Sequence, residues 1–236
     1  MIIGVFFTGC SVVQPITPTI EDDNNKSMEN NQTLLPSISE KEQIEEIESV
    51  FSHEFEEETN RESLIESLDA FPWEKEALQK VYSSHDEIWS SSQKEAFKQI
   101  LEDDSYLSIC ADRRYLDNLE FIEEGFREDI LYSILLLKYL NNLKSGCLEW
   151  VSSDTHVKNE NSVEAVRSDY ILSMLPKGVL IQKLILFYSP KNREFLDAVK
   201  HYKALEMGSA SYDELKTERL NIEQYKTLKE EPDYNE

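Results

Sequence analysis

The chain lacks any apolar run of about 18 residues, the length a membrane-spanning helix needs, so no segment of it reads as a mature transmembrane helix. Glycine and proline are scarce, 6 and 7 among 236 residues. The prolines sit mostly at the edges of apolar-periodic segments, which argues against a sheet with many tight turns and for helices. Basic residues are few: 24 Lys and Arg stand against 47 Asp and Glu, a net charge of −23. Such a surface repels phosphate, which excludes nucleic acid as a partner and disfavours anionic lipid headgroups. Cysteine is limited to Cys10, Cys110 and Cys147, an odd number without metal-ligand spacing. HExxH, CxxC, GxSxG and a phosphate-cradling glycine loop are all missing. No metal and no cofactor is implied.

What is present is a globular composition. Apolar residues make up 40% of the chain, with 11 Tyr, 10 Phe and 3 Trp. That is enough for the core of one medium domain with tails. The acidic excess is uneven, and residues 40–69 are its densest stretch.

Residues 1–10 form a short apolar leader, Met1 to Gly9, ending at Cys10. Phe7-Thr8-Gly9-Cys10 resembles the lipobox of bacterial lipoproteins, in which the cysteine is acylated and becomes the new N-terminus. Phe7 stands where leucine is usual, and the basic start of a signal peptide is missing, as a start codon assigned too late would explain. Residues 11–38 are rich in Asn, Ser, Thr, Pro and acids with no apolar period, which predicts a disordered tether. Within it, Asp23-Asn24-Asn25-Lys26-Ser27 and Glu29-Asn30-Asn31-Gln32-Thr33 match the acid-x-Asn-x-Ser/Thr acceptor of bacterial N-glycosylation, making Asn25 and Asn31 candidate glycosylation sites. Lipidation at Cys10 and glycosylation at Asn25 and Asn31 imply a periplasmic body, anchored by lipid, with the bacterial outer membrane as the expected location.

The rest reads as all-α. Acidic amphipathic helices occupy 39–70: one over 39–58, capped by Ser39, with Ile44, Ile47, Val50, Phe51 and Phe55 at helical spacing, and one over 61–70. From 71 to 236 a helical scaffold domain follows. Pro72 opens a helix that Ser83-Ser84-His85-Asp86 breaks, and another spans 92–101. The strongest signal is 118–144, where Phe121, Ile122, Phe126, Ile130, Leu131, Ile134, Leu135, Leu137, Leu140 and Leu143 make a broad stripe, expected as one central helix with Gly146 as a left-handed cap. Residues 152–162 read as a loop. Helices are expected at 163–175, 177–187 and 191–207, and a last one at 211–230, where Ser211 and Glu214 have capping-box spacing.

Catalytic candidates are weak. His53, His85, His156 and His201 share no pairing pattern, and Glu45, Glu46 and the Glu56–Glu58 run read as solvated helix faces. Ser145-Gly146-Cys147 looks like a nucleophile motif, but nothing beside it supplies a base, so it reads as structural. Cys110 and Cys147 either pair in an oxidising compartment or lie as buried thiols.

Four pieces in succession resemble the N-terminal scaffold of the large multi-domain bacterial L,D-transpeptidases, which make 3→3 cross-links in peptidoglycan. Val81-Tyr82 with Ile88-Trp89 is similar to that family's "FY…LW" opening, followed by Leu101 and Tyr115-Leu116. Asp129-Ile130-Leu131, Leu135, Tyr139-Leu140, Leu143 and Gly146 resemble its central helix. Leu175-Pro176, Leu180, Leu184, Pro190, Phe195-Leu196, Ala198-Val199, Tyr202 and Leu205 resemble the stretch after it. Arg219 to Leu228 looks like the helix that leads into the catalytic domain.

The match covers about two-thirds of the chain. The family's His and Ser-x-Gly-Cys-x-Arg signature is missing, with Glu149 where the arginine would be, and there is no room between Leu205 and Arg219 for an inserted peptidoglycan-binding domain. No catalytic residue carries over. The resemblance implies a lipid-anchored scaffold without its own active site, either the front of a split transpeptidase or a free-standing protein, partnered by peptidoglycan or cell-wall enzymes. The alternatives are a generic acidic helical envelope lipoprotein, serving as adaptor or surface antigen, and a cytosolic helical protein with a misread start.

Overall fold

A helix with apolar residues on every face has to be surrounded, and that requirement organises the fold. In a computed structural model, residues 39–51, 60–110, 116, 118–147 and 166–227 are described, and they contain ten α-helices and no strand. These are α1 (Glu40–Phe51), α2 (Arg61–Glu66), α3 (Pro72–Tyr82), α4 (Ser91–Asp103), α5 (Asn118–Phe121), α6 (Phe126–Ser145), α7 (Ser168–Met174), α8 (Ile181–Tyr188), α9 (Arg193–Met207) and α10 (Tyr212–Lys226). The all-α reading is correct.

Helix α6 is the axis. Every residue from Asp129 to Leu140 is buried. Helices α1, α2, α3, α7, α8 and α10 all pack against it, α4 packs on α8, and α9 pairs with α10. Ile44, Ile47, Val50 and Phe51 of α1 and Leu64, Ile65 and Leu68 at α2 join the same core as Ile130, Leu131, Ile134 and Leu136 of α6. Each buried Leu or Ile side chain contributes roughly 1.5–3 kcal/mol of transfer free energy, and α6 concentrates them.

Local chemistry sets the helix ends. The Ser211–Glu214 capping box forms as its spacing predicts: Ser211 Oγ accepts from the Glu214 amide and the Glu214 carboxylate accepts from the Ser211 amide. Ser90 and Gln93 build a second box at α4. Asn192 caps α9 by accepting from the Phe195 amide at 2.8 Å, and Pro72 takes the first position of α3.

Three expectations need correction. The 118–144 segment is two helices, because Gly125 (φ 140, ψ −161) breaks the chain between α5 and α6, and Phe121 is exposed. Gly146 has the expected positive φ of 76°, but its ψ of 168° sends the backbone extended into Cys147 and makes no left-handed cap. Helix α8 starts at Ile181 because Leu175–Lys177 forms a short 3₁₀ turn around Pro176. Gln93 holds that turn, its side-chain amide donating to Leu175 O at 3.1 Å and Val179 O at 2.9 Å.

The difference between losing a core side chain and losing a helix cap is measurable. Leu136→Ala on α6 is expected to cost about 2–5 kcal/mol in urea unfolding, and Ser211→Ala about 1 kcal/mol through the lost cap. Equal, small effects for both would contradict the packing described.

Candidate functional site

The first turn of α6 carries a buried carboxylate. Asp129 has no solvent exposure, and its Oδ2 accepts from the Tyr82 hydroxyl at 2.6 Å and the Ile88 amide at 2.8 Å. Its Oδ1 accepts from the Trp89 amide at 3.2 Å and lies 3.7 Å from Lys94 Nζ. One turn on, Ser133 Oγ accepts from the Trp89 indole at 2.9 Å and donates to the Asp129 carbonyl. Burial raises the Asp129 carboxyl above its usual range, opposed by these donors, and raises the Tyr82 phenol well above its own, with Asp129 adding to the rise. The negative charge sits at a helix N-terminus, where the macrodipole favours it. Its oxygens are saturated, so the group positions the α3–α4 connection on α6.

A second carboxylate lies at the other end of α6. Glu223 of α10, also without exposure, accepts from the Cys147 amide at 2.7 Å through Oε2. Its Oε1 accepts from Arg219 Nε at 2.8 Å and from Lys226 Nζ at 2.9 Å. The two cations reach on: Arg219 donates to Ile109 O at 2.8 Å, and Lys226 to Leu107 O at 2.7 Å. A side chain at Gly146 would place its Cβ 3.2 Å from Glu223 O and Oε2, so this close approach, together with the positive φ, requires glycine. Burial pulls the Lys226 ammonium down to about 8, while Glu223 pulls it up.

The disulfide completes this junction. Cys110 and Cys147, 37 residues apart, are bonded with Cα atoms 5.6 Å apart, and Arg219 lies 3.7 Å from the Cys147 sulfur. Closing a loop of that size stabilises by roughly 3–4 kcal/mol in the chain-entropy account. Of the two readings left open for these cysteines, the structure takes the bonded one, and Cys147 in Ser145-Gly146-Cys147 therefore carries no thiol. Beside it a cavity of about 420 Å³ is lined by Asp104, Cys110, Tyr202, Lys203, Tyr212 and Arg219 among others. Asp104 ends α4 in the left-handed conformation, accepts from the Ser108 amide at 2.8 Å, and is raised above the usual carboxylate range by burial.

The remaining sequence candidates do not converge. His85 is exposed and bonds locally to Ser84, while His201 on α9 faces Glu218 of α10 at 3.2 Å. Cys10, Asn25, Asn31, His53, His156 and Glu56–Glu58 lie outside the described residues. Glu45 is solvated, but Glu46 is not a free surface acid: it accepts from the Asp69 and Ala70 amides at 2.8 and 2.9 Å and holds the turn between α2 and α3. Among the described residues, no group of three or more His, Cys, Asp or Glu is arranged to hold a metal ion. No described helix is long and apolar enough to cross a membrane. Compared with family models, curated proteins and solved structures, the chain matches none.

Sequence reasoning missed Lys226, Asp104 and Glu46. For Lys226 a signal existed, since Arg219, Glu223 and Lys226 share one face at i, i+4 and i+7. Nothing local marked that face as buried.

Two outcomes follow from these junctions. Asp129→Asn puts an amide against buried N–H donors and is expected to cost about 2–4 kcal/mol, whereas Asp197→Asn at an exposed position of α9 stays within about 0.5 kcal/mol. Lys226 releases its proton near pH 8 when folded and near its ordinary 10.5 when unfolded. The unfolded chain thus holds more protons between these values, and stability rises with pH from about 8 upward. Urea midpoints at pH 8.0 and 9.5 should show that rise in the wild type and lose it in Lys226→Met.

Proposed function

We propose that this chain is a cell-envelope scaffold of the L,D-transpeptidase type, lipid-anchored through Cys10 in the periplasm. In this reading it acts in peptidoglycan assembly by presenting a rigid helical body to the wall or its enzymes. The observation that carries the reading is the convergence of the resembling residues. Tyr82, Ile88 and Trp89 of the opening piece meet Asp129 of the central piece. Gly146 of the central piece meets Glu223 of the last one, whose carboxylate Arg219 holds. Ordinary core positions chosen by chance from an apolar pattern have no reason to share two polar junctions.

The disulfide supports the export half of the reading, because such bonds persist in oxidising compartments and are rare in the cytosol. The functional groups at both junctions are consumed by structure, which supports a body that binds and positions.

Two measurements test the proposal together. Purified peptidoglycan sacculi should pull down the full chain, and radiolabelled palmitate should label the wild type but not Cys10→Ser. Labelling without sacculus binding would favour a generic envelope adaptor, and absence of both would overturn the reading.

A further inference from the structure

Helix α8 breaks the rule that a surface helix turns a polar face outward. Ile181, Leu184 and Ile185 are buried, yet the opposite face carries Leu180 at its N-cap, 56% exposed, Leu186, 59% exposed, and Phe187, 68% exposed, together with Lys183. Between Tyr170 and Arg193 there is no Asp or Glu, in a chain that holds 47. Lys177, Lys183 and Lys191 are exposed there and, among the described residues, make no ion pair within the chain. Arg167 lies over the ring of Tyr170, and both act on Tyr188 at the end of α8.

A pocket opens at that end. Its volume is about 270 Å³, and Lys144, Phe187, Ser189, Lys191, Asn192 and Lys226 line it, with no carboxylate in the wall. Ser189 is only 6% exposed, and its hydroxyl has no hydrogen-bond partner among the described residues. That hydroxyl is itself enclosed, so what the pocket offers a ligand is its lysines. Lys226 Nζ is already spent on Glu223 and Leu107, which leaves Lys144 and Lys191 as the cations. The site therefore combines two ammonium groups with an adjoining exposed apolar face.

We propose that the end of α8 binds the phosphate headgroup of an anionic phospholipid in a bilayer surface. Lys144 and Lys191 take the phosphate, while Leu180, Leu186 and Phe187 enter the outer acyl layer. Amphipathic surfaces of this kind bind by apolar burial combined with attraction to anionic headgroups. The net charge of −23 argues against anionic surfaces only on average. At physiological salt, charges beyond about 8 Å are largely screened, and the acid-free stretch governs the contact. The site is independent of the Cys10 anchor, and a membrane-tethered body would gain from it a fixed orientation.

The test uses the full chain carrying Cys10→Ser, so that acylation plays no part. Flotation with phosphatidylcholine vesicles containing phosphatidylglycerol should recover the protein, with binding at least tenfold weaker to phosphatidylcholine alone. Phe187→Ser and the Lys144→Gln/Lys191→Gln pair should each reduce binding at least tenfold with unchanged thermal unfolding. Millimolar inorganic phosphate should not displace the protein. Absence of vesicle binding, equal binding by the variants, or full displacement by phosphate would each overturn the lipid site. So would a concentration-dependent dimer abolished by Phe187→Ser, because a second copy would then be what covers this face.

Discussion

A helix buried on every side gains much from apolar contact but little direction from it, and the two buried carboxylates at the ends of α6 supply that direction. Apolar packing tolerates small rotations and slips, whereas Asp129 accepts from donors at fixed backbone positions, Ile88 and Trp89, and from one phenol, Tyr82. Glu223 does the same at the far end, gripping the Cys147 amide while Arg219 and Lys226 carry the connection to Ile109 and Leu107. Helix α6 is thereby tied to the α3–α4 connection, to the segment after α4, and to α10. Buried charges seldom add net stability compared with apolar substitutes, but breaking one partner is costly. Their value here is in register.

The fold was legible where pattern and punctuation agreed. The apolar stripe of α6, Pro72 at the head of α3 and the Ser211–Glu214 box each have a local physical cause, and each stands where that cause puts it. Expectations failed where a tertiary contact overrode the local signal. Gly146 was expected to curl back on its helix, but the Cys147 amide must reach Glu223, so the chain leaves extended. Glu46 read as one solvated acid among many, and only the arrival of Asp69 and Ala70 gives it amides to hold. The spacing of Arg219, Glu223 and Lys226 was visible, but its burial depends on a disulfide and a loop more than 70 residues away.

The same division applies to chemistry. The charged groups at the two junctions have their donors and acceptors matched, which suits a frame and leaves little to act on a substrate. The groups with spare capacity that face solvent are the exposed apolar face of α8 and the lysines of the pocket beside it. In the proposed reading the body acts by binding, and the wall and the membrane are the two surfaces between which a tethered periplasmic frame would stand.

The central claim, an exported helical frame locked at the end of α6, depends most directly on the state of two cysteines in the protein as cells make it. Protein recovered from its native cell should be alkylated while denatured, before any reduction, and its peptides mapped by mass. The account predicts one cross-linked peptide pair joining Cys110 to Cys147, with neither residue alkylated. Recovery of both as alkylated free thiols would contradict the locked junction and remove the support it lends to an oxidising compartment.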